Sequence, residues 1–279
     1  MNPTIDQTII SSFKEYLDHK IVSKLGAWKN VSAPLFLDPN DDRMTGYKKV
    51  NSGSRQFLYD SSVSGAVIAD PSQFASSGWR EAKTDFKNSR FLVTQSETAT
   101  APSSGTFAVK HFNSYVSSMD DVDLFENTNF GLGPEMLSQI AAVGADSYYA
   151  PCYFIKSSTT ENKPLELGGL ENTIFNLKIV CFVKSEGELI SLASIIRDLR
   201  SSTLPILLDT PLDYFNDIKS RPWSYHTEVQ KSITAGSPTI YVNEANFTPL
   251  KMDGSMVKMK NTYIGLGNIT ISTPRYPRQ

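Results

Sequence analysis

Cysteine and histidine are nearly missing from this chain. Two cysteines, Cys152 and Cys181, and three histidines, His19, His111 and His226, are spread over 279 residues. Two cysteines cannot build a disulfide scaffold. No CxxC is present, and no histidine pair has zinc-ligand spacing. No run approaches the ~18 apolar residues of a membrane span. The longest, such as Ile179-Val180-Cys181-Phe182-Val183, are strand-sized. The opening Met1-Asn2-Pro3-Thr4-Ile5-Asp6-Gln7 has neither the basic start nor the apolar core of a secretory leader. Folding in a reducing cytoplasm fits, with both thiols buried in strands. Neither sign of charge dominates. The 27 Lys and Arg against 29 Asp and Glu leave a net −2, which is not the balance of a protein held to nucleic acid by phosphate neutralisation.

Motifs that carry chemistry are equally sparse. There is no G-x-S-x-G elbow, no P-loop and no dinucleotide fingerprint. The glycine pairs Gly131/Gly133, Gly168/Gly169 and Gly265/Gly267 read as backbone turns or close approaches. Asp38-Pro39-Asn40-Asp41-Asp42 begins like a calcium loop, but Arg43 stands where glycine is required and Lys49 stands at the twelfth position. Asp120, Asp121 and Asp123 read as a solvated turn. Lys251 to Lys260, alternating with Met252, Met256 and Met259, reads as a twisted hairpin. His19, beside Asp18, reads as a surface residue. The sequence nominates no catalytic, cofactor-binding or metal-binding residue.

What is present is a mixed pattern of helices and strands. Pro3 to Leu25 predicts a helix with an apolar stripe through Ile9, Phe13, Tyr16, Leu17 and Ile21. Lys14, Glu15, Asp18 and Lys24 populate its other side, and Gly26 ends it. Residues 27–123 read as a loop-rich β insertion. Its apolar runs at Gln56 to Tyr59, Ala66 to Ala69, Arg90 to Thr94 and Thr106 to Lys110 suggest short strands and hairpins, and Gln95 to Gly105 suggests an exposed loop. Residues 124–279 read as the sheet-and-helix core. A short helix is expected at Pro134 to Val143, a strand at Tyr148 to Ile155 and a polar loop at Ser157 to Pro164. The strongest strand signal is Thr173 to Lys184. Ser185 and Glu188 have capping-box spacing before the stripe Leu189, Leu192, Ala193, Ile196 and Leu199. Leu204 to Leu208 follows as a short edge strand, so strand, helix and strand read as a crossover unit. Strands are expected at Thr239 to Val242 and Tyr263 to Ile271, then an extended arm from Pro274 to Gln279. The fold class is α+β, in one domain of 1–279: a mixed β-sheet packed by an N-terminal helix and a central crossover helix, with long loops and an extended C-terminal arm.

This organisation, centred on Asn172 to Leu208, resembles the structural proteins of tailed-phage necks, particularly tail terminators and head-to-tail connectors. No residue-level motif of that family is matched. The resemblance implies a non-enzymatic virion protein, assembled in the host cytoplasm. It would form a homo-oligomeric ring, of six or twelve subunits, that contacts neighbouring virion proteins. DNA could pass through its lumen without sequence-specific binding, and no cofactor or membrane span is implied. Two other readings stand beside it. One is a carbohydrate- or protein-binding β-rich module that stacks ligands on Trp79, Trp223 and Tyr225. The other is a divergent enzyme with scattered acid-base groups.

Overall fold

The computed structural model describes residues 5–38, 48–52, 55–70, 82–86, 89–93, 104–116, 151–165, 169–210, 223–250 and 263–275. The expected helix at 134–143, the hairpin at 251–260, the acidic turn at 120–123, Trp79 and residues 276–279 lie outside them, as does the expected loop at 95–105 except for Ser104 and Gly105, which are strand.

The architecture is α+β. Helix α1 (Ile5–Leu25) leads into strands β1 (Trp28–Pro34), β2 (Phe36–Asp38), β3 (Lys48–Asn51), β4 (Ala82–Asp85), β5 (Arg90–Val93) and β6 (Ser104–Lys110). Strands β7 (Asn113–Val116), β8 (Cys152–Pro164) and β9 (Glu171–Val183) follow, then helix α2 (Glu186–Arg197) and strand β10 (Thr203–Pro205). Helix α3 (Tyr225–Thr234) precedes the last two strands, β11 (Thr239–Leu250) and β12 (Tyr263–Arg275). A six-stranded sheet runs in the order β10-β11-β12-β9-β8-β7. All its pairs are antiparallel except β7–β8. A four-stranded sheet, β2-β3-β5-β4, and the ribbon β1-β6 form the remaining layers.

The central strand behaves as its sequence demands. On β9 the odd-numbered residues Phe175, Leu177, Ile179, Cys181 and Val183 face the main core, together with Leu189, Leu192, Ile195 and Ile196 of α2. Residues 180–183 are buried on both faces. Each fully buried large aliphatic side chain contributes about 1.5–3 kcal/mol. Ile190, on the far side of α2, is exposed. Ser185 caps α2, its hydroxyl accepting from the Glu188 N–H at 3.2 Å. The Glu188 carboxylate reaches one residue further back than a capping box would, to the Lys184 N–H at 2.8 Å.

Several expectations are corrected. The Ser157 to Pro164 stretch is not a loop; it continues β8, paired with β9 as far as Pro164. The arm begins later than expected, because Pro274 and Arg275 still pair with Asn172 and Glu171. Edge position makes this possible for Pro274: β11 ends its pairing at Ser272, so the missing N–H faces no partner strand. The helix α2 does not join parallel strands. Strand β10 lies three places from β9 and runs opposite to it, so α2 carries the chain across β12 and β11. The segments at 90–94 and 106–110 do not pair with each other: β5 pairs with β3 and β4, whereas β6 pairs with β1. Residues 56–59 and 66–69 form no strands. They track β6 through single backbone bonds, such as Leu58 N–H to Ala108 O at 2.9 Å and Ala108 N–H to Val67 O at 2.6 Å. Helix α3 spaces Tyr225, Val229 and Ile233 four apart, but the face it buries is mixed, Tyr225, Glu228 and Ser232, while Ile233 is exposed.

Cys152 and Cys181 are buried free thiols on adjacent strands. Cys181 lies opposite Tyr153 and Cys152 opposite Phe182, so the thiols point to opposite faces of the sheet and cannot be bridged. The two late glycines mark a close approach. A Cβ on Gly265 would lie 2.2 Å from Phe247 Cζ and 2.9 Å from Cys181 Sγ. At Gly267 the nearest atom, Ile179 Cβ, is 3.2 Å away. Gly265→Ala therefore overpacks this layer and should lower stability by about 1–3 kcal/mol in urea denaturation. Gly267→Ala should cost clearly less, and Phe247→Leu in the Gly265→Ala background should recover part of the loss.

Candidate functional site

Of the charged residues on the polar side of α1 only Lys24 faces solvent. Lys14, Glu15 and Asp18 are buried, because α1 lies between the six-stranded sheet and the layer carrying Tyr59 and β6. They meet Lys110 at the end of β6, Ser114 on β7 and Tyr153 on β8. Lys110 is only 1 % exposed. Two ammonium and two carboxylate groups thus form one closed, neutral cluster.

Asp18 is its hub. Its Oδ2 accepts from Lys110 Nζ at 2.7 Å, Ser114 Oγ at 2.7 Å and Tyr59 OH at 2.6 Å, and Lys14 Nζ lies 3.2 Å away. Its Oδ1 accepts from the Tyr153 hydroxyl. The Tyr59 proton is shared with Glu15 Oε2, 2.7 Å away, and Lys14 Nζ closes the ring to Glu15 Oε1 at 2.9 Å. Burial alone would push the Asp18 carboxyl up, but Lys110, then Lys14 and the Tyr153 hydroxyl outweigh it and hold it below its ordinary value. Burial dominates at Glu15 and raises it, and burial lowers Lys110 despite the pull of Asp18. At Lys14 burial lowers the ammonium, yet Glu15 and Asp18 together raise it.

A void of about 10 Å³ touches this cluster and is also lined by His19, Asp60 and Trp223. It has room for about one water. His19 is not a surface residue. Its Nδ1 lies 2.8 Å from Asp60 Oδ2, and its ring stacks on Tyr225 with centroids 4.2 Å apart. Asp60 Oδ1 accepts from Ser62 and from the Tyr225 N–H at 3.0 Å, which anchors the first turn of α3. Burial raises the Asp60 carboxyl, but the His19, Ser62 and Tyr225 donors bring it below its ordinary value. Trp223 and Tyr225, expected as exposed stacking platforms, are buried in the main core. Tyr59 and Tyr225 pack against Trp223, with ring centroids 5.9 and 6.1 Å away.

A second site is open to solvent. A cleft of about 590 Å³ runs between residues 25–29, Arg55, His111 and the first turn of α2. Arg55 Nη1 donates to His111 O at 2.7 Å and contacts His111 Nδ1 at 3.0 Å. Arginine is always a donor, so Nδ1 accepts and the ring proton sits on Nε2. Nε2 donates to Glu188 Oε1 at 2.8 Å. Slight burial raises Glu188, but the Lys184 N–H and then His111 bring it below its ordinary value. Both nitrogens of His111 are engaged, so this trio acts as a brace between the β6–β7 corner and α2. Burial pushes both cysteine thiols up to about 12, which removes them as nucleophiles near neutrality. Among the described residues, no group of three His, Cys, Asp or Glu is placed to hold a metal ion. No described helix is long and apolar enough to cross a membrane.

No protein-family model matches the chain, and no curated protein matches it. The residues that organise the interior were hard to find in advance. Lys14, Glu15 and Asp18 look like an ordinary solvated face, and their counterion Lys110 lies 92 residues away from Asp18.

Lys110→Met leaves the Asp18 carboxylate buried without its nearest cation. The loss should be about 3–5 kcal/mol in urea denaturation. The pH dependence has a definite sign. The Asp18 value is lower folded than unfolded, so its contribution is complete above the ordinary value of 3.8. It is lost as pH falls below that. Between pH 6 and pH 2, wild type should lose more stability than Asp18→Asn, measured by urea midpoints; equal slopes would contradict this assignment.

Proposed function

We propose that the chain is a non-enzymatic structural subunit that assembles head-to-tail into a ring, of the kind found in tailed-phage necks as tail terminators or head-to-tail connectors. The observation that carries this reading is the pair of margins on the six-stranded sheet that the described strands leave open. At one margin β7 covers only Cys152 to Ile155 of β8. At the other, β10 covers only Thr239 to Tyr241 of β11. Among the described residues, strands pair with 157–164 and 243–250 on one side only. The margins differ from each other, so joining them is a heterologous contact, and heterologous contacts that close make rings.

The outer face of the sheet supports the same reading. It is polar and exposed around Asn176, whose amide donates to Thr159 Oγ1 at 2.8 Å and accepts from Thr270 Oγ1 at 3.1 Å. Lys178, Asn268 and Asn246 lie in the next row, all exposed. Such a face suits a surface turned to a lumen or to a neighbouring virion protein. In this reading the protein is assembled in the host cytoplasm into the virion, and its net charge of −2 lets DNA pass without being held.

The binding-module reading keeps one supporting observation, the cleft beside Trp28. It predicts a monomer that responds to a ligand. Light scattering after size exclusion at two concentrations separates the two. From 30.9 kDa per chain, a ring of six or twelve should appear at about 185 or about 371 kDa, with a central hole in negative stain. A monomer at both concentrations would move the assignment to the binding module.

A further inference from the structure

The two open margins match each other in direction, length, face pattern and charge. We propose that they pair directly: residues 157–164 of β8 in one copy form an antiparallel ladder with residues 243–250 of β11 in the next. This rests on the ring reading above and adds which strands meet and in what register.

Direction comes from the topology. Three antiparallel steps separate β8 from β11, so the two margins run in opposite senses. A second copy moved sideways along the sheet therefore presents β11 antiparallel to β8 without being turned over. Register comes from the faces. Residues opposite one another share a face. Thr159 and Glu161 lie opposite Asn176 and Ile174, and Lys163 opposite Asn172, so these three share the outer face. On β11, Glu244, Asn246 and Thr248 lie opposite Thr270, Asn268 and Leu266, on that same face. A slip of one residue would turn one strand's outer side chains inward.

Of the registers that keep outer on outer, one places Lys163 opposite Glu244, Glu161 opposite Asn246 and Thr159 opposite Thr248. Opposite charges then face each other across the junction. A slip of two residues in one direction sets Glu161 against Glu244, which is repulsive. A slip of two in the other leaves Glu244 without the lysine. Both margins carry a bulge, between Ser157 and Thr159 on β8 and between Val242 and Glu244 on β11. Bulges, edge lysines and prolines discourage indiscriminate strand pairing, so a partner must match their spacing. A second copy of this chain is the partner whose charge order fits.

The test uses full-length protein and cysteine pairs. Within one chain the two margins are three strand spacings apart, about 14 Å, too far for a disulfide, which needs Cα atoms within about 7 Å. Any bridge between positions 163 and 244 therefore joins two copies. Lys163→Cys mixed with Glu244→Cys should give disulfide dimers on mild oxidation, and the double variant should give a ladder ending at the ring number. Neither single variant alone should cross-link. Lys163→Glu should weaken assembly by about tenfold or less, and adding Glu244→Lys should restore it. Both positions are exposed, so folding is spared. Oligomers that assemble by light scattering yet give no 163–244 bridge would overturn the strand pairing and leave the ring reading standing. Bridges within a single-variant sample would mean a symmetric contact and overturn it too. A wild-type protein that stays monomeric at every concentration would overturn both.

Discussion

One carboxylate organises the interior. Asp18 sits midway along α1 and collects donors from the β6 end, from β7, from β8 and from the segment holding Tyr59. A buried charge is tolerated only when it is paired and hydrogen-bonded, since its desolvation costs several kcal/mol. That requirement fixes how α1 enters the fold. The helix must bring its charged side to Lys110 and Tyr59 and its apolar side to the sheet, so it cannot rotate or slide without stranding an ion. Ser12 adds a second tie, donating to Thr8 O at 2.7 Å and accepting from the Leu207 N–H at 2.9 Å.

Closing the interior this way has a consequence for the surface. The inner face of the six-stranded sheet is consumed by α1 and α2, with Leu17, Ile21, Leu192 and Ile196 in the same core as the β9 side chains. Its outer face around Asn176 and its two margins remain for contact with other molecules. Among the described residues, several buried or bridged ionisable groups are engaged with one another. Asp18, Glu15, Lys14 and Lys110 neutralise one another, His19 serves Asp60, and His111 is held between Arg55 and Glu188. Rigidity inside and polar edges outside are the properties that a ring subunit needs.

Much of the element inventory was legible from local pattern. The extent of α1, the cap at Ser185, the stripe of α2 and the long apolar strand β9 follow from periodicity and capping over a few residues. Gly265 and Gly267 were readable as a close approach because only a missing side chain leaves room for Phe247. The misreadings share one cause. Ser157 to Pro164 is polar and looked like a loop, yet it forms strand because β9 offers it a complete set of backbone partners. Helix α3 is short, buries Glu228 and Ser232 beside Tyr225, and is held by Asp60, distant in sequence.

The sequence by itself determined which segments are helix or strand wherever one face alone is buried, and that both thiols lie in strands. Only the tertiary structure decided that Lys14, Glu15, Asp18 and His19 are interior, that β10 runs against β9, and that Trp223 and Tyr225 are core. The physical reason is the second layer. A polar helix face is solvated or buried according to whether distant segments supply matching charge and hydrogen-bond donors, and Lys110, Tyr59 and Tyr153 do so from three separate places in the chain.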